Sequence, residues 1–202
     1  MRGRPLLFAT VIRYLITDGT AGVEEDRWLR HIAWWLERGG VHLVQIRERD
    51  LSARRLAELT RKVLRLANPH RTKILVNDRA DIALACGADG VHLRDGSILP
   101  EQTRRASRAP RSFIISVACH SSLAVDGAIG ADYILLAPVF APLSKDSAQQ
   151  ALGLSGLSEA VQRTSIPILA LGGVTESNAQ RCVDAGAAGV AGISLFALEA
   201  AG

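Results

Sequence analysis

Eight short apolar runs recur along this chain, and segments of helical pattern separate them. The runs lie near 13–17, 41–47, 73–77, 90–93, 113–118, 133–139, 167–171 and 189–193. Between them, Trp28, His31, Ile32 and Trp35 recur at helical steps, as do Leu56, Leu59, Val63 and Leu66. A run as continuously apolar as Tyr133–Val139 suits a strand of a parallel sheet covered on both faces. Eight such units in 202 residues leave little choice of architecture. The expected fold is α/β, a single-domain (β/α)8 TIM barrel spanning residues 1–202. A doubly wound open sheet is the rival, but no Gly-x-Gly-x-x-Gly fingerprint follows the first strand. About nine residues follow the last run, so the final helix must be short.

A weak internal repeat supports the barrel. Gly39-Gly40-Val41, Gly87-Ala88-Asp89-Gly90, Gly130-Ala131-Asp132 and Gly186-Ala187-Ala188-Gly189 each close a helical pattern and open a strand. A glycine there supplies the left-handed turn that ends a helix. These turns fall on the bottom face of a barrel, where residues serve stability rather than chemistry.

The balance of charge is mild, at +4 with 22% charged residues. Arg104, Arg105, Arg108 and Arg111 cluster without interleaved aromatic residues, which reads as a solvated helix rather than a nucleic-acid surface. A basic surface also suits phosphorylated substrates. Cys86, Cys119 and Cys182 are odd in number and scattered, as expected of buried thiols in a reducing cytosol. The expected location is therefore cytoplasmic. Arg2 and Arg4 precede an apolar run reaching Ile16, superficially like a leader. Arg13 interrupts that run, which reads better as a first strand ending at Thr17-Asp18. No run is long enough to span a bilayer.

In barrels the chemistry sits where strands end. The residues at those points are Asp18, then Gln45, Arg47 and Arg49, then Asn77 and Asp78, then His92 and Asp95. His120, Ser144, Lys145, Gly172, Gly173, Ile193 and Ser194 follow in order. Arg47 and Arg49 stand two apart, so an extended segment points both the same way. Two guanidiniums on one face suit a phosphate or pyrophosphate; the alternative is a self-neutralising Arg-Glu-Arg-Asp loop. Asp78 suits Mg²⁺, or else an N-cap for a helix over Arg79–Cys86. Lys145 lies in the polar stretch Phe140–Gln150, either a lid or a solvated loop. Gly172-Gly173 and Ile193-Ser194 offer backbone amides after strands seven and eight, the usual phosphate position in barrels. His92 reads as a structural histidine, with its facing undetermined locally, and His120 as a candidate acid or base.

Together these pieces resemble the thiamine phosphate synthase and thiazole tautomerase superfamily. The resemblance rests on Tyr14-Leu-Ile-Thr-Asp18, Gln45-Ile-Arg-Glu-Arg49, Val76-Asn-Asp-Arg79 and Ala88-Asp-Gly-Val-His-Leu93. It continues through Pro138-Val-Phe140, Ser144-Lys145 and Leu171-Gly-Gly-Val174. It implies a synthase that joins an aminopyrimidine diphosphate to a thiazole phosphate and releases pyrophosphate with Mg²⁺. By resemblance Arg47, Arg49, Asn77 and Lys145 hold the pyrophosphate and Asp78 the metal. Ser144 stands at the thiazole site, and Gly173, Ile193 and Ser194 cradle the thiazole phosphate.

The chain departs from the synthase pattern after the fourth strand, where Arg94-Asp-Gly-Ser97 replaces Gly-Gln-x-Asp. The second metal carboxylate becomes Ser97, unless Asp95 substitutes. Arg-Glu-Arg and the run at 94–97 are closer to the tautomerase branch, whereas Asn77-Asp78 is the synthase form. The expected function is thiamine phosphate synthase. The alternatives are a thiazole tautomerase using a group such as His120, or a non-catalytic barrel that binds thiazole or thiamine phosphate. The partners expected are small phosphorylated pyrimidine and thiazole substrates, neither nucleic acid nor membrane, with a homo-oligomer left open.

Overall fold

A computed structural model describes residues 11–141 and 150–197 of the chain. Eight strands pair in chain order and close into a barrel: β1 (Ile12–Ile16), β2 (Leu43–Ile46), β3 (Lys73–Asn77), β4 (Gly90–Leu93), β5 (Ile114–Cys119), β6 (Tyr133–Leu136), β7 (Ile168–Ala170) and β8 (Gly189–Gly192). All eight pairings are parallel, and β8 returns to β1 with Gly189 opposite Ile12 and Gly192 opposite Leu15. The expected (β/α)8 barrel is present.

Strands β2, β6, β7 and β8 are shorter than the apolar runs that announced them, and the other four match their runs in length. Val41 and Val139 are buried yet lie outside β2 and β6. Val139 donates its amide to Leu171 O at 2.9 Å, so the chain has already turned into the β6 loop. Apolar continuity reports burial, and burial extends past the ladder.

Among the described residues six helices wrap the sheet: α1 (Glu25–Arg38), α2 (Ala53–Leu64), α3 (Ala80–Cys86), α4 (Pro100–Ser107), α5 (Gly153–Arg163) and α6 (Glu176–Asp184). In α1 the helical step carries Trp28, Ile32 and Leu36 inward, each stabilising the fold by roughly 1.5–3 kcal/mol. In α2, Ser52 caps the first turn by accepting from Arg55 N at 3.3 Å, and Leu56, Leu59 and Val63 face the sheet. After β5 the wall is only a 3-10 turn, Ala124–Gly127. After β8 comes a second, Ser194–Phe196. It docks on α1: His31 Nε2 and Trp35 Nε1 both lie within 3.0 Å of Phe196 O.

The glycine turns lie at the strand starts, as the repeat implied. Gly87, left-handed at φ +77 and ψ +27, ends α3. The acids of these turns also work. Asp89 accepts Ile74 N at 2.9 Å, and Asp132 accepts Ile115 N at 2.7 Å. Each carboxylate thereby satisfies an amide at the start of the preceding strand. Arg104 pairs with Asp132 and donates to Phe113 O, so one arginine of the basic cluster is a structural strut. Cys119 and Cys182 are buried free thiols, whereas Cys86 is only half-buried.

The barrel interior is mainly apolar, with Tyr14, Leu43, Leu75, Leu135 and Leu169 packed together. A polar thread crosses it. Tyr14 OH lies 3.3 Å from Ser116 Oγ, which lies 2.9 Å from His92 Nδ1. His92 therefore faces inward as a satisfied structural histidine. Burial pushes its pKa down to about 4, with Arg47 and Arg49 reinforcing and Asp78 opposing.

Candidate active site

The C-terminal mouth is organised around Glu48. Strand alternation turns this carboxylate into the core, where it accepts Thr17 Oγ1 at 2.7 Å, Ala21 N at 3.0 Å and Trp28 Nε1 at 3.0 Å. Burial pushes its pKa up, and the three donors oppose that shift. The same Thr17 hydroxyl accepts Arg47 N at 2.8 Å. Glu48 is thus engaged elsewhere, and the self-neutralising loop is not formed. Arg47 and Arg49 carry no ion pair among the described residues. Burial lowers the pKa of Arg47, and repulsion from Arg49 adds to it. The Glu48 charge opposes that shift, and two guanidiniums at a strand end, without an ion pair among the described residues, are a site for an anion.

Asn77 ends β3 opposite His92 and accepts Gln45 Nε2 at 2.8 Å. Gln45 is 1% exposed, and its Oε1 is buried without a partner among the described residues. Such an oxygen calls for a donor from a ligand. Gln45, Arg47, Arg49 and Asn77 are therefore brought together at the ends of β2 and β3.

Asp78 is not an N-cap. Helix α3 starts at Ala80, and Asp78 sits in the left-handed region at φ +55 with its amide on His92 O at 2.7 Å. Its carboxylate turns toward the β4 loop. Ser97 Oγ donates to Oδ1 at 2.7 Å, and Arg94 Nε pairs with Oδ2 at 2.7 Å. Arg49, Asn77, Asp78 and Arg94 line a cavity of about 240 Å³. Asp95 is not part of it; it lines a separate cavity beside Leu99, Cys119 and Ala128. Asp18 is also apart, accepting Thr20 N and Oγ1 in the β1 loop.

This donor set does not fit a divalent ion as the sequence placed one. Mg²⁺ takes one or two carboxylates together with substrate phosphates and water. Two carboxylates line the cavity: Glu48 is bonded to Thr17, Ala21 and Trp28, and Asp78 has both oxygens engaged, one of them by a guanidinium. Among the described residues, no three His, Cys, Asp or Glu side chains converge.

The opposite side of the mouth is built from backbone. Gly172 and Gly173 lie at φ +90 and +63, and a Cβ on Gly173 would stand 2.4 Å from Ala141 O. Their amides donate to no acceptor among the described residues, while Gly173 O accepts Asn178 Nδ2 at 2.9 Å. Ser194 opens the final 3-10 turn, where helix amides lack an internal acceptor. Ile193 beside it is 40% exposed. His120 Nδ1 lies 2.8 Å from Ala137 O; that carbonyl can only accept, so Nδ1 carries the hydrogen and Nε2 keeps the lone pair. Ser144 and Lys145 lie outside the described residues.

Three features were missed in the sequence: the inward turn of Glu48, and the contacts of Arg94 and Ser97 with Asp78. Glu48 reaches partners 20 to 31 residues away, which local pattern cannot show. Only the closeness of Arg94 and Ser97 to the end of β4 signalled the other two.

The fold and its mouth define a (β/α)8 barrel with anion-binding groups at the strand ends, a class that handles phosphorylated small molecules. Residues 13–196 match the family model described as thiamine monophosphate synthase, and the chain belongs to that family. It is 38% identical over 183 residues to a thiamine-phosphate synthase of Methanoregula boonei, covering 90% of this chain and 83% of the relative. It is 40% identical over 183 residues to a putative thiamine-phosphate synthase of Geobacter sulfurreducens, covering 90% and 84%. Its structure is similar to a thiamine phosphate pyrophosphorylase from Pyrococcus furiosus, with TM-score 0.78, 29% identity, and coverage of 93% and 88%. The function these relationships show is that of a thiamine-phosphate synthase, a transferase of thiamine biosynthesis. No helix among the described residues is long and apolar enough to cross a membrane.

Proposed function

We propose that the barrel mouth transfers an aminopyrimidine methyl group from its diphosphate to the ring nitrogen of a thiazole phosphate. The carbon–oxygen bond to the diphosphate breaks, the resulting pyrimidine cation is captured by the thiazole nitrogen, and pyrophosphate departs. The observation that carries this reading is the Arg47–Arg49 pair beside Asn77, which makes no ion pair among the described residues. Charge developing on the leaving group is what such preorganised cations stabilise. The unpartnered Gln45 Oε1 is matched by the exocyclic amino group of the pyrimidine. The amides of Gly172 and Gly173, with Ile193 and Ser194, hold the thiazole phosphate. Lys145 and Ser144, which lie outside the described residues, are assigned by resemblance to the diphosphate and the thiazole, and excluding water from the mouth protects the cation. Small phosphorylated substrates of this kind favour a cytoplasmic reaction.

The test is to incubate the protein with both substrates, with and without Mg²⁺, and to measure pyrophosphate and thiamine phosphate together. Equimolar formation of the two supports the reading; their absence under both conditions overturns it. A tautomerase reading is favoured by one observation, the basic Nε2 left on His120. Isomerisation of a thiazole carboxylate phosphate without the pyrimidine would support that instead.

A further inference from the structure

We propose that Arg94 supplies the cation this site presents at Asp78, in place of a divalent metal ion. The inference rests on the diphosphate reading above. Asp78 is directed by its backbone: φ is +55, and its amide is tied to His92 O across β3 and β4. Where that carboxylate points, it meets the Arg94 guanidinium and the Ser97 hydroxyl, each at 2.7 Å. Ser97 donates a hydrogen bond to one Asp78 oxygen and Arg94 pairs with the other, so each oxygen has a partner within the protein.

Arg94 is well placed to use the rest of its guanidinium. Its side chain is 68% exposed and engages Asp78 through Nε. That contact is an ion pair, and Arg94 makes no side-chain hydrogen bond among the described residues, so its four Nη–H donors are free of side-chain partners there. It lines the 240 Å³ cavity with Arg49 and Asn77. The other charged residues there are accounted for. Glu48 is bonded into the core, and Arg79 pairs with Asp81 at 2.6 Å. A diphosphate in this cavity therefore meets Arg49 and a guanidinium held in place by Asp78. Planar guanidiniums bind phosphate oxygens bidentately and keep their charge at any working pH. A divalent ion at Asp78 would have to displace Arg94 or stand beside its positive charge. Asp78 is on this account a positioning residue, and Arg94 the group that touches the ligand.

The test uses inorganic pyrophosphate and calorimetry, independent of turnover, on wild type, Arg94→Ala, Arg94→Lys and Asp78→Asn. Wild type is expected to bind pyrophosphate in EDTA, with affinity changed less than about threefold by Mg²⁺. Arg94→Ala is expected to lose about tenfold or more in EDTA, with Arg94→Lys recovering part of it. Asp78→Asn is expected to weaken binding less than Arg94→Ala does. Titration of wild type with Mn²⁺ alone, followed by electron paramagnetic resonance, is expected to show no tight site. Binding that needs Mg²⁺, or that Arg94→Ala leaves intact in EDTA, overturns the proposal while the diphosphate reading stands. Absence of pyrophosphate binding under both conditions overturns the two together. Circular dichroism of each variant confirms the fold, which an exposed side chain does not support.

Discussion

Gln45 donates to Asn77 across the ends of β2 and β3 at 2.8 Å, and its own oxygen is left buried without a partner among the described residues. An unsatisfied buried acceptor costs about 1–3 kcal/mol. Gln45→Leu removes that oxygen together with the donor to Asn77. Its expected effect on thermal stability is within about 1 kcal/mol, because the two changes oppose. Its affinity for the aminopyrimidine diphosphate is expected to fall by about tenfold or more. Unchanged affinity in a folded variant would remove Gln45 from the pyrimidine site.

Thr17 links the core to the arginine pair through a single hydroxyl, 2.7 Å from Glu48 and 2.8 Å from Arg47 N. Thr17→Val keeps the shape and deletes both bonds. It is expected to destabilise the fold by about 1–3 kcal/mol in urea unfolding and to raise the KM for the diphosphate substrate. Thr17→Ser should restore both. A normal KM in Thr17→Val would show that the arginines are oriented without this link.

His92 makes stability depend on pH. Its pKa in the folded chain is about 4, against 6.5 for the free imidazole. Between those values the unfolded chain takes up a proton that the folded chain refuses. Its contribution is therefore complete above about pH 6.5 and is lost progressively as pH falls toward 4, on the order of 3 kcal/mol in all. Urea midpoints measured from pH 7.5 to 4.5 should fall more steeply for wild type than for His92→Gln. Parallel curves would contradict this.

Gly173 has φ +63, and a Cβ added there would stand 2.4 Å from Ala141 O. Gly173→Ala must displace the start of the β6 loop or its own turn, at a cost on the order of 1–3 kcal/mol. The expected result is weaker thiazole phosphate binding with secondary structure retained by circular dichroism. Wild-type affinity would assign this glycine to packing alone.

Much of the fold was legible because parallel strands covered on both faces are apolar without interruption, and eight such runs close one way. The arginine pair and Asn77 were legible for the same reason, since a polar residue at the end of an apolar run marks a strand terminus. Facing was not legible. Whether His92 or Leu93 points into the barrel depends on the register of β4 between β3 and β5, which no local pattern encodes. The partners of Glu48 and Asp78 come from other loops, so the chemistry of those carboxylates was hidden until the loops met. A self-neutralising loop at Arg47–Asp50 and a helix cap at Asp78 are each plausible for an isolated segment, and each is overridden by such contacts.

The pairing of β1 with both β2 and β8 has a consequence for how the molecule is made. During synthesis Ile12–Ile16 emerges well before its second neighbour, Gly189–Gly192. Until then the nascent sheet carries two open edges, and the amides of β1 have water or a stranger for company. The carbonyl of Phe196, seized by His31 and Trp35 of the first helix, acts as the clasp on that ring. A lesion in the clasp should therefore betray itself first as aggregation during biosynthesis, before any loss of chemistry in molecules that succeed in closing.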